Sequence, residues 1–220
     1  MPDVRAQSFP AADRQPGEPG RTPCRARPSS THARLRSATF ELHRRIDRRL
    51  DLLAPALDLH RYRSILRTFF GYYSALEPRL AVAPGSPRGV PQGWRTEAIA
   101  SDLLSLGDRP RSIEQIERCD LLPSLAGMPM LAGCTYVVEG SVLGGRVVAR
   151  SLKERFGLTP ERGARFFSGP EGQPGPRWQR VLAWIEQVAI ASGDADEIVA
   201  SARATFQSLL RWVELRDASV

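Results

Sequence analysis

Apolar residues recur every three or four positions over most of the chain, and this spacing is typical of helices packed into a bundle. It runs without interruption from about residue 31 to Pro55 and again from Leu59 to Leu80. No segment shows sustained apolar–polar alternation between hairpin turns, the pattern of a half-buried strand. The sequence therefore predicts an all-α fold, with further helices over 94–106, 111–118, 129–155, 160–167, 177–192 and 194–216.

The first thirty residues differ in composition from everything that follows. They are rich in proline, glycine, arginine and serine and contain almost no large apolar side chain. Such a segment cannot bury enough apolar surface to offset the entropy lost on folding. A chain of 220 residues is long enough for one well-buried domain. We therefore predict a disordered tail over residues 1–30 and one domain over residues 31–217.

The net charge of +7 does not by itself indicate a nucleic-acid-binding protein. Of the 31 basic residues only Lys153 is a lysine, and the arginines are spread along the chain. A nucleic-acid interface would instead gather them into one stripe with interleaved aromatic residues. The run RRIDRR at 44–49 is either a solvated helix face or a docking patch for an acidic partner protein.

The cysteines and the hydropathy of the chain limit where in the cell the protein is expected. Cys24, Cys119 and Cys134 form no CxxC pair and no spacing typical of a metal site. No apolar run approaches the roughly 20 residues that a membrane span needs. The N-terminus has no apolar stretch of the kind found in secretion signals. These features predict a cytoplasmic protein without a membrane anchor.

Four glycines interrupt one predicted helix, although each costs roughly 1 kcal/mol relative to alanine. On a helix of ~100° per residue, Gly133, Gly140 and Gly144 lie within about 40° of one another, and Ser141 stands at the rim of this bare stripe. Two explanations remain open: close packing of two helices through small residues, or a flat ligand lying directly on the backbone. The pair Gly144 and Gly145 also predicts a kink.

His43 stands at the edge of the apolar stripe of the first predicted helix, and Asp47 follows one turn later. A hydrogen-bonded structural histidine is the default explanation for such a residue. A carboxylate one turn away is also what orients a metal-ligating imidazole through its other ring nitrogen. Because no second histidine or cysteine stands at ligand spacing, a closed zinc site is excluded. An iron held by one histidine on haem stays open, since the porphyrin supplies four ligands.

Two segments together resemble the heme oxygenase family. LRSATFELHRRID at 35–47 resembles the proximal helix of these enzymes, and TYVVEGSVLGGRVVARSL at 135–152 resembles their glycine-rich distal helix. The EGSxxGG core is closest to the bacterial branch often associated with bacteriophytochromes. The resemblance extends over roughly residues 33–215. It implies a helical bundle that holds haem between the proximal helix and a kinked distal helix.

The resemblance also implies roles for single residues. His43 matches the axial ligand to the haem iron, with Asp47 beside it. Arg36 and Arg177 match basic positions that contact haem propionates, and Phe206 matches an aromatic residue bordering the haem.

On the distal helix, Gly140, Gly144 and Gly145 match the glycines that let the backbone approach iron-bound oxygen. Ser141 stands where many members carry an aspartate that orders water. A serine can donate and accept a hydrogen bond but carries no charge.

The implied activity is the oxidative opening of haem, which is both substrate and prosthetic group, to biliverdin, carbon monoxide and ferrous iron. The reaction consumes oxygen and takes electrons from a ferredoxin or a reductase, and a bacteriophytochrome is the client that the branch suggests. The protein's own contribution would be binding and orientation. Two alternatives remain: a non-enzymatic haem-binding or haem-trafficking protein on the same scaffold, and a helical interaction module without a ligand.

Overall fold

The computed structural model describes residues 30–85, 87, 93–170 and 174–217. Within these ranges the chain forms helices and no strand, apart from isolated bridges at Thr159. The all-α prediction is confirmed, whereas the predicted tail lies outside the described residues except for Ser30. The described helices are α1 Thr31–Leu50, α2 Leu59–Val82, α3 Trp94–Ser105, α4 Pro110–Glu114, α5 Met128–Phe156, α6 Arg165–Ser168, α7 Pro174–Ser192 and α8 Ala195–Asp217.

Helix α1 begins at a serine cap and ends earlier than its apolar pattern indicates. The Ser30 hydroxyl accepts a hydrogen bond from the Ala33 amide at 3.2 Å, which satisfies one of the free donors at the helix start. At the other end Asp51 adopts a left-handed conformation with φ of 45°, which aspartate tolerates better than most residues. The prediction of a helix up to Pro55 was therefore wrong by one turn.

Two further helices are shorter than predicted. Helix α4 ends at Glu114 rather than at residue 118, and α6 has one turn where the pattern predicts a helix over 160–167. The reason at α6 is a tight turn in which Gly163 has φ of +85°. The carboxylate of Asp102 then starts the helix, accepting hydrogen bonds at 2.8 Å from the amides of Arg165 and Phe166.

Helix α5 is the central element of the described bundle. It packs against α8, α7 and α6, while α1 packs against α8 and α7 and α2 packs against α3. None of the described helices has the length and hydropathy that crossing a bilayer requires. The largest completely buried side chains come from six helices and include Leu35, Tyr62, Tyr72, Ile99, Leu131, Ile185 and Ile198.

Candidate active site

A cavity of about 750 Å³ is lined mainly by α1 and α5, with contributions from α2, α3, α6, α7 and α8. This volume is within the range typical of ligand-binding pockets. Of the nine residues that the sequence singles out, eight line it and one, Arg177, does not. The eight are Arg36, His43, Asp47, Gly140, Ser141, Gly144, Gly145 and Phe206.

On the α1 side, His43 is held by its neighbour one turn on. Its Nδ1 lies 2.8 Å from a carboxylate oxygen of Asp47, and its ring meets Phe206 edge-on, with centroids 5.8 Å apart. Because the carboxylate takes Nδ1, Nε2 is the nitrogen left to bind a metal. The His43 side chain remains 56% exposed, so this nitrogen is accessible. No group of three or more potential metal ligands occurs in the described ranges.

On the α5 side, two glycines give the cavity its room. A Cβ added at Gly144 would meet no atom within 4 Å, and one added at Gly140 would stand 3.3 Å from the ring of Trp178. Both residues line the cavity. At Gly144 the missing side chain therefore leaves open space rather than room for a neighbouring helix.

The other two glycines have a packing role. A Cβ at Gly133 would lie 2.6 Å from the Cβ of Ser201 and 2.7 Å from the amide nitrogen of Ala202, both on α8. A Cβ at Gly145 would lie 2.8 Å from the carbonyl oxygen of Phe167 on α6. Close packing, one of the two explanations left open by the sequence, thus applies at Gly133 and Gly145, whereas at Gly144 the space is open and the ligand explanation stays a prediction. Gly145 lines the cavity, but its bare Cα is explained by the α6 backbone rather than by a ligand.

The distal helix continues through its glycine pair. The helical assignment of α5 is unbroken from Met128 to Phe156, including Gly144 and Gly145. The kink expected at this pair stays a prediction.

Ser141 is turned partly towards its own helix. Its hydroxyl donates a hydrogen bond to the carbonyl oxygen of Val138 at 2.8 Å, a common arrangement for a helical serine. Burial raises the pKa of the neighbouring Tyr73 hydroxyl, while the positive charge of Arg95 and a hydrogen bond with Ser141 lower it. Tyr73 also lines the cavity, so two hydroxyl groups lie together beside the glycines.

Arg177 has a different partner from the propionate that the resemblance implied. Its guanidinium pairs with the carboxylate of Glu139 on α5, and its side chain is only 12% exposed. The pair joins the first turns of α7 to the distal helix, on the side away from the cavity lining. In the described structure the buried carboxylate of Glu139 takes the guanidinium, and the propionate contact of Arg177 stays a prediction that this pairing does not support.

The sequence interpretation missed an aromatic cluster at one end of the cavity. The rings of His32 and Tyr136 each contact Trp178, with centroids 6.1 Å and 5.5 Å apart. Burial raises the pKa of the Tyr136 hydroxyl, whereas a hydrogen bond with Thr39 and the charge of Arg36 lower it. His32 also lines the cavity. The sequence contains one indication that His32 belongs to the site: it precedes Arg36 by one helical turn on the same face of α1.

Taken together, fold and site define an all-helical protein in which a carboxylate-oriented histidine and an open glycine share one apolar cavity. The family model for heme oxygenase matches residues 29–215. A heme oxygenase from Xanthomonas campestris pv. campestris is 30% identical over 159 residues, covering 68% of this chain and 87% of that protein. The chain belongs to the heme oxygenase family, and it is an enzyme of haem degradation with haem as its substrate.

Solved structures show the same fold at low sequence identity. Heme oxygenase from Neisseria meningitidis, solved with NO and CO bound, superposes with a TM-score of 0.69 at 18% identity, covering 86% of this chain and 93% of that one. The enzyme from Leptospira interrogans has a TM-score of 0.65 at 18% identity, with coverages of 84% and 99%. Heme oxygenase-1 from the cyanobacterium Synechocystis, solved in complex with heme, also has a TM-score of 0.65, at 15% identity and coverages of 86% and 93%.

Proposed function

We propose that the cavity between α1 and α5 is where this protein binds haem and opens its ring to biliverdin, carbon monoxide and ferrous iron. The observation that carries the proposal is one juxtaposition. A histidine with Nδ1 held 2.8 Å from Asp47 lines the same cavity as Gly144, beside which there is open space. A single neutral imidazole leaves the other face of a haem iron free for oxygen.

Each wall has a separate task in this proposal. On the α1 side His43 ligates the iron, Asp47 fixes its tautomer, and Phe206 restricts the ring from α8. Arg36, which also lines the cavity, supplies positive charge for a propionate. A guanidinium can bind a carboxylate through two parallel hydrogen bonds, so it would fix the rotation of the haem about the iron.

On the α5 side the open space beside Gly144 would leave room for a diatomic ligand of a bound haem, and Gly140, without a side chain, would let the helix backbone approach the haem. Ser141 provides a hydroxyl next to that ligand. Its role in proton delivery is part of the proposal, because a hydroxyl can pass a proton onward without holding a charge.

The reaction also requires partners. We propose that oxygen enters the cavity directly and that a ferredoxin or a reductase supplies the electrons, with a bacteriophytochrome as a client for the biliverdin. The arginines between 44 and 49 support an acidic electron donor, since Arg44 and Arg45 keep side chains 54% and 53% exposed on α1. A cytoplasmic location is supported by Cys119 and Cys134, which are both free and buried.

The test is aerobic turnover of the haem complex with an added reductant, comparing the wild type with His43→Ala. We expect the wild type to lose its haem absorption and form biliverdin, identified by chromatography. The variant should still associate with haem through the apolar walls but lose turnover, because alanine supplies no ligand to the iron. His60→Ala, on an exposed histidine of α2, is the matched control and should keep full activity. A His43→Ala protein with unchanged spectra and turnover would contradict the assignment.

A further inference from the structure

Four charged side chains are clustered behind the cavity wall formed by α5. The side chains of Arg95, Glu77 and Glu139 are at most 5% exposed. Arg95 Nη2 lies 2.8 Å from a carboxylate oxygen of Glu139, and its Nη1 lies 3.7 Å from Glu77. Arg177 pairs with the second oxygen of Glu139. Two positive and two negative charges therefore balance, as buried charges require.

The carboxylate of Glu77 also holds the backbone of Arg95 in place. It accepts hydrogen bonds from the backbone amides of Arg95 and Thr96, at 3.2 Å and 2.9 Å. These amides belong to the first turn of α3, where free donors favour an anion. Arg95 is thus anchored at both its backbone and its side chain.

Arg95 contacts three groups of the cavity wall from behind. Its Nη2 donates to the carbonyl oxygen of Val138 at 2.8 Å, the same oxygen that receives the hydroxyl of Ser141. Its guanidinium lies over the rings of Tyr73 and Trp94, with its carbon 5.7 Å and 4.6 Å from the ring centroids. Ser141, Tyr73 and Trp94 all line the cavity.

These contacts determine what the wall can offer a bound ligand. The Ser141 hydroxyl uses its only proton on the carbonyl of Val138. Ser141 has only acceptor capacity left towards the cavity, and the wall favours a ligand that donates a hydrogen bond.

We propose that Arg95 is a positioning residue for the oxygen-binding side of the cavity. It holds Ser141 through the shared carbonyl of Val138, and it holds the ring of Tyr73 through a cation–π contact. This inference rests on the proposed function, because it gives the fixed hydroxyl pair a role beside the haem iron. A guanidinium can bond to a carboxylate and a carbonyl while presenting a flat face to two rings, and an ammonium cannot.

The decisive variant is Arg95→Lys. It keeps the charge balance of the cluster but lacks the planar guanidinium group with its several N–H donors. The primary measurement is the pH midpoint at which the spectrum of the ferric haem complex changes. A wall that accepts hydrogen bonds favours the protonated form of a ligand on the iron. If Arg95→Lys leaves Ser141 less firmly held, this preference weakens. The midpoint should then fall by at least about half a pH unit, a threefold change in the equilibrium. We also expect turnover to fall about fivefold to tenfold while haem affinity stays within twofold.

Arg67→Lys is the matched control, because Arg67 makes a two-bond contact with Asp108, both at 2.8 Å, away from the cavity lining. It should leave the midpoint and the turnover unchanged. If Arg95→Lys does not fold, Arg95→Met combined with Glu139→Gln removes one charge of each sign and is measured in its place. A midpoint equal to that of the wild type in the folded variant, or an equal shift in Arg67→Lys, would overturn the proposal.

The same experiment separates this inference from the proposed function. If the wild type binds haem but forms no biliverdin, the proposed reaction fails while the pH midpoint still reports on Arg95. If the wild type is active and Arg95→Lys matches it in midpoint and rate, the reaction stands and the role of Arg95 is refuted.

Discussion

Replacing Gly144 by alanine should stabilise the protein without haem and impair the protein with haem. The added methyl group would meet no atom within 4 Å, so the folded chain accepts it without strain. Alanine is favoured over glycine in a helix by about 1 kcal/mol. For a domain of this size such a gain raises the unfolding temperature by about 2–4 °C.

The same replacement at Gly133 should have the opposite effect. There the methyl group would lie 2.6 Å from the Cβ of Ser201 and 2.7 Å from the backbone nitrogen of Ala202. Because a backbone atom cannot turn aside as a flexible side chain can, α5 and α8 must separate. Overpacking of this kind costs about 1–3 kcal/mol, which outweighs the helix gain of about 1 kcal/mol. We expect an unfolding temperature several degrees below that of the wild type.

The assay combines thermal unfolding of the haem-free proteins with titration of haem and then of carbon monoxide on the reduced complex. With Gly144→Ala the methyl group enters the space meant for haem and its ligand. A steric cost of about 1.4 kcal/mol would weaken carbon monoxide binding tenfold. Gly133→Ala should bind both with nearly wild-type affinity as long as it is folded. If Gly144→Ala lowers the unfolding temperature and leaves both affinities unchanged, helix packing explains all the glycines and our reasoning about the cavity is refuted.

Three further replacements test other parts of the site. Asp47→Asn removes the charge that orients His43 and should lower haem affinity about tenfold in a titration; equal affinity would show that the ring is oriented by packing. Ser141→Ala should slow single-turnover decay of the oxygen complex about fivefold to tenfold, whereas an unchanged rate would leave proton delivery to backbone and water. Burial raises the pKa of Asp102 to about 6, so its favourable contribution to folding is complete below pH 3.8 and is lost as pH rises through 6. The stability of the wild type relative to Asp102→Asn should therefore increase by up to about 3 kcal/mol between pH 7 and pH 4, and a difference independent of pH in chemical denaturation would contradict the shift.

The helices of the two cavity walls could be predicted because their signals are local. Apolar spacing and a serine cap define the start of α1, and the carboxylate one turn after His43 depends only on helical geometry. The end of α1 was missed because Leu52 and Leu53 continue the apolar pattern beyond the helix. Both line the cavity, although Leu53 is 53% exposed, so the apolar pattern here reported neither burial in the core nor the backbone conformation.

The roles of the individual glycines could not be predicted from spacing. Gly133 and Gly144 share one helix face, yet the first contacts α8 and the second contacts open space. The two glycines differ only in what packs against them, and the helix that packs against Gly133 lies far away in the sequence. For the same reason Arg177 was assigned to a propionate: nothing local shows that Glu139, 38 residues earlier, takes its guanidinium.

The α5 wall combines buried charge behind the helix with an uncharged face towards the cavity. A buried ion pair contributes little net stability, since removing the charges from water costs about as much as their attraction returns. What the cluster provides instead is direction, because Arg95 and Ser141 both donate to the carbonyl oxygen of Val138. The one carboxylate of this turn, Glu139, is neutralised at the back of the helix by two guanidinium groups. A serine at position 141 therefore needs no charge of its own to be held in place, and the Ser141 and Tyr73 groups that line the cavity are neutral hydroxyls contacted from behind by Arg95, through the Val138 carbonyl and the Tyr73 ring.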